Sequence, residues 1–276
     1  MIISELFGVR GYSVIVTGGA SGIGLGYVEA LASGGARVTM FDLREDRITE
    51  ETTRLRSSGL EVSGKVVDVT DHAALERAVD EVAAEHGRLD VVFANAGIDP
   101  GPGFLGAWVG GERPRFADGA LEKYTDERWN RTIDVNLNGV FATLRAAARH
   151  MRPRHSGRII VTTSLASERC EPAIGTAYMV AKAGVAHLVR NVALELATYN
   201  ITVNAISPGM FVTNIGGGHL KDPAVQSEFA RMIPMHRLGL PPDMYGLALF
   251  LASPASAYVT GQQIAIDGGF GLGSAD

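Results

Sequence analysis

The chain carries one cysteine, Cys170, in 276 residues, which excludes an internal disulfide and fits a reducing compartment. It has no basic block: 25 Lys and Arg stand against 30 Asp and Glu, a formal net charge of −5, so neither nucleic acid nor an anionic membrane surface is expected as a partner. No apolar run approaches the roughly 20 residues of a bilayer span. Residues 1–10 lack the basic start and apolar stretch of a secretory leader, and a cytoplasmic protein is expected. His219 and His236 share a loop without metal-ligand spacing, so no metal site is expected. Present in quantity are hydrophobic residues, 46% of the chain, and 34 glycines. That is ordinary for a globular chain long enough to bury a sizeable core.

Short apolar, β-branched runs alternate with longer helical patterns, which predicts an α/β fold built from βαβ units around a parallel sheet. Strands are expected at 14–17, 37–42, 65–67, 91–94, 158–163, 202–206 and 264–266, several of them continuously apolar as strands covered on both faces must be. Helices are expected at 22–33, 44–57, 71–85, 126–149, 177–198 and 242–252. Asp71 caps one of them, with Leu75, Val79 and Val82 forming its apolar stripe. No linker divides the chain, so residues 1–276 are expected to form a single domain. Two stretches exceed ordinary loop length: an insertion near 99–125, where Phe104, Trp108 and Phe116 are expected to pack, and a substrate loop near 209–240.

After the first strand comes Thr17-Gly18-Gly19-Ala20-Ser21-Gly22-Ile23-Gly24, leading into a helix. Glycines at 18, 22 and 24 let the backbone approach a pyrophosphate, and the helix N-terminus offers it free N–H groups. Asp42 closes the second strand, where a carboxylate accepts hydrogen bonds from the adenosine ribose hydroxyls and repels a 2′-phosphate. NAD is therefore expected over NADP, with Arg44 as the group that could compensate in favour of NADP.

This pattern resembles the short-chain dehydrogenase/reductase family, and further motifs follow in that family's order across nearly the whole chain. They are Asp68-Val69 after the third strand, Asn95-Ala96-Gly97 after the fourth, Asn136 in the next helix, and Ser164 ending the fifth strand. Tyr178 and Lys182 then stand as Tyr-x-x-x-Lys, followed by Pro208-Gly209, Thr260-Gly261-Gln262 and Asp267-Gly268-Gly269. The resemblance implies a Rossmann-type, doubly wound parallel sheet of about seven strands with helices on both faces. It implies cofactor contacts from Gly18, Ser21, Gly22, Ile23, Gly24, Asp42, Asp68, Val69, Asn95, Ala96, Gly97, Tyr178, Lys182, Pro208, Gly209, Val212 and Thr213. It implies an Asn136, Ser164, Tyr178 and Lys182 catalytic set, a small-molecule alcohol or ketone substrate, and a homo-oligomer, a tetramer at family level. Three departures stand out: Ala94 replaces the usual Asn, the insertion near 99–125 is long, and the Ser164-to-Tyr178 spacing is one residue longer than the common pattern. The last leaves Ser167 and Thr163 open beside Ser164.

Tyr178 and Lys182 lie four apart on one helix face. A free phenol near pKa ~10 is a poor base at neutral pH, and a nearby ammonium is expected to lower it. In oxidation Tyr178 takes the hydroxyl proton while a hydride leaves for the nicotinamide. Ser164 polarises the substrate oxygen. The family analogy adds that Lys182 binds the nicotinamide ribose and that Asn136 holds a relay water. Cys170 is expected to be a buried or pocket-wall thiol rather than a nucleophile. The rival readings are an NADPH-dependent ketoreductase, an epimerase or dehydratase on the same site, and a non-catalytic NAD-sensing module. In the second long loop, Gly216-Gly217-Gly218 precedes a short amphipathic helix at 223–232, with Val225, Phe229 and Met232 on one side, and is expected to hinge a substrate lid.

Overall fold

Strands buried on both faces need successive apolar side chains, and Val14, Ile15 and Val16 of strand β1 (Ser13–Thr17) are all fully buried. The computed structural model describes residues 3–99, 101–106, 113–213, 218 and 220–273. In it β1 joins β2 (Arg37–Asp42), β3 (Val62–Val66), β4 (Val91–Ala94), β5 (Gly157–Thr162), β6 (Ile201–Pro208) and β7 (Gln263–Ile266) in one sheet. All pairings are parallel and the order is 3-2-1-4-5-6-7. The helices are α1 (Ile3–Leu6), α2 (Gly22–Ser33), α3 (Glu45–Ser57), α4 (His72–His86), α5 (Asp126–Ile133), α6 (Gly139–Met151), α7 (Thr176–Leu196), α8 (Pro223–Ala230) and α9 (Tyr245–Ala252).

Helices cover both faces of the sheet. On one side Leu75, Val79 and Val82 of α4 pack with Ala142 and Leu144 of α6 and Val185 and Val189 of α7. On the other, Tyr27, Val28 and Leu31 of α2 pack with Ile48 of α3 and Leu251 of α9. Each such side chain contributes about 1.5–3 kcal/mol on full burial, so both layers hold the strand ends firmly. Asp71 caps α4 as expected, its Oδ1 accepting from the Ala74 N–H at 2.9 Å, and Gly87 ends that helix at φ +70.

Three expected elements differ. The third strand starts at Val62 rather than residue 65, because it pairs Val38 with Val62 and Asp42 with Val66. Its sequence, Val-Ser-Gly-Lys-Val, has no apolar period to mark it, and Gly64 is required there because a Cβ would lie 2.3 Å from Ile48. The pattern at 242–252 divides into a 3₁₀ turn, Pro241–Met244, and α9. The long helix expected at 126–149 is broken by a π-helical turn at Asp134–Asn138, closed by the Gly139 N–H bonded to the Asp134 carbonyl. A π turn in a helix frequently marks a functional position, and this one contains Asn136.

The insertion near 99–125 is stitched to the chain just ahead of α7. Gly103 N–H donates to the Ala173 carbonyl at 3.0 Å and Leu105 N–H to that of Pro172 at 3.1 Å. The Arg128 guanidinium donates to the carbonyls of Asp118 (2.7 Å) and Pro102 (2.6 Å). Phe104 and Phe116 are more than 40% exposed rather than packed, because this segment lies over the surface. Trp108 lies outside the described residues.

Candidate active site

The sheet order reverses between β1 and β4, and the chain leaves each neighbouring strand at the same, C-terminal edge, where open α/β sheets bind ligands. At the end of β1 the glycine turn is pressed against the segment after β4. Gly18 (φ +64) would place a Cβ 2.9 Å from Ala96 Cα, and Gly24 would place one 2.0 Å from the Gly18 carbonyl oxygen. Any side chain there would destroy the turn, and this backbone cradle leading into α2 fits the pyrophosphate of a dinucleotide. Ser21 precedes α2 in extended conformation without its side chain capping the helix, and Ile23 packs partly into the core beside it. Gly22 (φ +55) faces Thr213, whose Cβ would be 3.4 Å from a Cβ on the glycine. The segment after β6 therefore lies across from the cradle, with Gly209 N–H bonded to Ile266 and Val212 N–H to Gly239.

Asp42 is half-buried at the end of β2. Its Oδ2 accepts from the Ala20 N–H at 3.1 Å and its Oδ1 from the Arg44 N–H at 3.2 Å. The Arg44 guanidinium is paired with Asp46 at 2.6 Å. Asp68 is exposed, accepting from Thr70 at both its N–H and hydroxyl, and Val69 is buried against Gly139, where a Cβ would stand 2.8 Å away.

Asn95 and Ala96 are set by neighbours on β1 and β5. Thr17 Oγ1 accepts from the N–H groups of Asn95 (3.0 Å) and Ala96 (3.1 Å). Asn95 Nδ2 donates to the Thr17 and Gly18 carbonyls, and its Oδ1 accepts from Thr162 Oγ1 at 3.0 Å. Asn136, fully buried in the π turn, then grips the next residue. Its Nδ2 donates to the carbonyls of Ile98 and Thr132 at 3.1 Å each, and its Oδ1 accepts from the Ile98 N–H at 3.3 Å. Both amide protons are thus committed to carbonyls, which leaves the side chain none to donate to a relay water.

Opposite stands α7. Lys182 Nζ is 5.5 Å from the Tyr178 ring centre and donates to the Thr162 carbonyl at 2.7 Å. Burial pulls this ammonium down to about 8. Burial also pushes the Tyr178 phenol up to about 12, with the Ser164 hydroxyl drawing it back and the charge of Asp99 adding to the rise. The shift is thus upward, against the expected lowering by Lys182, because burial of the phenol dominates and burial also makes the ammonium easier to neutralise. The three candidate hydroxyls are differently engaged. Thr163 Oγ1 donates to the Ile206 carbonyl at 3.1 Å. Ser167 Oγ donates to the Ser164 carbonyl at 2.6 Å and accepts from Gln263 at 2.9 Å. Ser164 Oγ accepts from the Ala166 N–H at 3.2 Å and lies near enough to the phenol to favour its ionised form.

The sequence reading missed Thr162, which joins Asn95 to Lys182; nothing in sequence marks it, since the link exists only because β5 lies beside β4. It also missed Asp99 as a charge acting on the phenol. Cys170 is exposed, not buried. Of the lid, Gly216 and Gly217 lie outside the described residues. Phe229 packs on a small cluster with Leu165, Ile233, Leu238 and Phe270, whereas Met232 is 36% exposed and does not share that face.

A family profile described as enoyl-(acyl carrier protein) reductase matches residues 18–271. The sorbose reductase of Candida albicans is 30% identical over 273 residues, covering 96% of this chain and 89% of its own. The 5-keto-D-gluconate 5-reductase of Escherichia coli is 31% identical, over 96% of this chain and 98% of its own. The crystal structure of a gluconate 5-dehydrogenase from Burkholderia cenocepacia, in complex with NADP and tartrate, superposes with a TM-score of 0.84 at 33% identity, covering 96% of this chain and 97% of that one.

Proposed function

Since the chain belongs to the short-chain dehydrogenase/reductase family of oxidoreductases, we propose that it interconverts a secondary alcohol and a ketone with NAD(H), using Tyr178 as the proton-transfer residue. The observation that carries this reading is the meeting of the Ser164 hydroxyl, the Tyr178 phenol and the Lys182 amine behind the glycine cradle. A bound nicotinamide supplies the hydride in reduction and accepts it in oxidation. In reduction the Tyr178 phenol gives its proton to the ketone oxygen while Ser164 hydrogen-bonds the same oxygen and orients it. In oxidation Tyr178 takes that proton back. Lys182 spends one N–H on Thr162, leaving others for a ribose hydroxyl. Asn136 is a positioning residue, acting through Ile98.

NAD is favoured by Asp42 closing β2 and by Arg44 being engaged with Asp46. Arg44 is also the observation that favours the second reading, NADP use, should it leave that partner for a 2′-phosphate. Sugar-derived substrates are favoured by the names of the relatives, sorbose reductase and 5-keto-D-gluconate 5-reductase. We expect a single catalytic domain and a cytoplasmic location, in keeping with the lone thiol. A homotetramer is supported by apolar side chains left exposed on α6 and α7, namely Phe141, Val180 and Leu194.

The test is NADH absorbance with the purified protein against secondary alcohols, sugar alcohols and the matching ketones. Turnover with at least one pair is expected. NADH binding without turnover on any member would leave the cofactor-sensing alternative.

A further inference from the structure

The mouth of the site is set by two segments sewn together. Gly97 stands where an added Cβ would be 2.8 Å from Asn136 Oδ1 and 3.8 Å from Lys182 Nζ. Ile98 is gripped at both backbone polar atoms by Asn136, so Asp99 is delivered at a fixed place one residue on. Its Oδ1 accepts from the Gly101 N–H at 2.9 Å, and its carboxylate is exposed. From there the chain runs antiparallel to 172–174, through the Pro102–Ile174 bridge and the Gly103 and Leu105 hydrogen bonds, so Pro102, three residues after Asp99, lies beside Ile174, four residues before Tyr178. Asp99 is close enough for its charge to act on the phenol.

The stretch between Ser164 and Tyr178 carries Glu168, Arg169 and Glu171, directly ahead of the 172–174 segment paired with the insertion. Arg169 is the one cation among them, and it is fully engaged. It pairs closely with Glu171, donates to the Phe270 carbonyl at 2.9 Å and stacks 4.3 Å from the Phe270 ring centre. Glu168 accepts from Gln263. Lys182 lies deeper, donating to Thr162. The two segments flanking Tyr178 thus carry three carboxylates, Asp99, Glu168 and Glu171, with the Arg169 guanidinium paired to Glu171. Carboxylates accept hydrogen bonds from hydroxyl groups and repel a substrate carboxylate, more strongly as the site closes off water.

We propose, resting on the alcohol–ketone reading above, that Asp99 is a specificity-determining residue which makes this site select neutral polyhydroxylated substrates, a ketose and its polyol, over the corresponding keto-acid anions. It acts by charge at the entrance rather than on the reacting atoms. Arg169 is held by Glu171 and Phe270, and the Arg128 guanidinium beside Gly101 is turned to the Asp118 and Pro102 carbonyls.

The experiment compares a neutral ketohexose with 5-keto-D-gluconate as substrates of the intact protein and of Asp99→Asn, at low and high salt. Asparagine keeps the acceptor for the Gly101 N–H, and near-UV circular dichroism checks that the fold persists. The wild type is expected to show the higher kcat/KM for the ketose. Asp99→Asn should raise the keto-acid-to-ketose ratio about fivefold at low salt, mainly through the KM of the keto-acid, with a smaller gain at high salt. A wild-type preference for the keto-acid, or an unchanged ratio in Asp99→Asn, overturns the proposal. Turnover of only non-sugar alcohols also overturns it while leaving the alcohol–ketone reading standing. Absence of turnover with every alcohol and ketone instead removes that underlying reading.

Discussion

Lys182 Nζ donates to the carbonyl oxygen of Thr162 at 2.7 Å, and the hydroxyl of the same threonine donates to Asn95 Oδ1 at 3.0 Å. One strand-end residue thus ties the buried ammonium of α7 to the loop that follows β4. Lys182 is 3% exposed, and burial depresses its folded pKa to about 8 from 10.5. Where the lysine is charged in both states, below about pH 8, the folded state bears the cost of burying it. That cost fades as pH rises from 8 to 10.5. Lys182→Met should therefore stabilise the protein at pH 7 by about 1–3 kcal/mol while abolishing turnover. The advantage should shrink at pH 10. Thermal melts at both pH values check it, and a lower Tm in the variant at pH 7 would show that the Thr162 bond outweighs the burial.

Tyr178→Phe should reduce turnover at least ~10²-fold and leave NADH binding, followed by fluorescence, nearly unchanged. Because the phenol lies near 12, it is protonated at neutral pH. Oxidation, which needs the phenolate, should climb steadily with pH, whereas reduction, which needs the phenol, should stay level through mildly alkaline pH. An oxidation profile flat from pH 7 to 10 counts against Tyr178 as the titrating group.

Ser164→Ala should cost about 10²–10³ in kcat, the usual penalty for losing one polarising donor. Ser167→Ala should cost far less, since that hydroxyl is spent between the Ser164 carbonyl and Gln263. A larger loss in Ser167→Ala than in Ser164→Ala would reassign the polarising group.

NAD should be used at least ~tenfold more efficiently than NADP, equivalent to about 1.4 kcal/mol. Asp42→Ala should narrow that gap. Comparable kcat/KM with both cofactors in the unmutated protein would exclude the NAD assignment. The same substitution also removes the acceptor of the Ala20 N–H, so some loss of affinity for both cofactors is expected.

Hydrogen exchange tests the second loop. Its ends are anchored by the Val212–Gly239 and Gly239–Met210 hydrogen bonds, and Phe229 of α8 packs near Leu165 and Phe270. If α8 is the moving part of a lid, its protection should rise sharply with NADH and a substrate analogue together. Equal protection with and without them would make it a fixed wall.

Local chemistry determined much of this protein before any folding was considered. Continuous apolar runs such as Val14-Ile15-Val16 announce strands covered on both faces. The glycines at 18, 22 and 24 and the acid at 42 announce a dinucleotide cradle, because close backbone approach to a phosphate demands glycine wherever it occurs. Tyr178 and Lys182 are paired by helical geometry alone.

What only the tertiary structure decided depends on which elements become neighbours. The edge strand β3 takes its register from β2, since its own sequence lacks an apolar period. The helix pattern at 126–149 continues through Asn136 without interruption, and the π turn becomes visible only with Asn136 bonded to Ile98, 38 residues away. Thr162 acquires its role from an earlier parallel strand, β4, whose following loop carries Asn95, and from a later helix that carries Lys182. The direction of the Tyr178 shift was also beyond the sequence. Spacing places an ammonium beside the phenol, but the upward shift comes first from burial, a property of the whole packed edge.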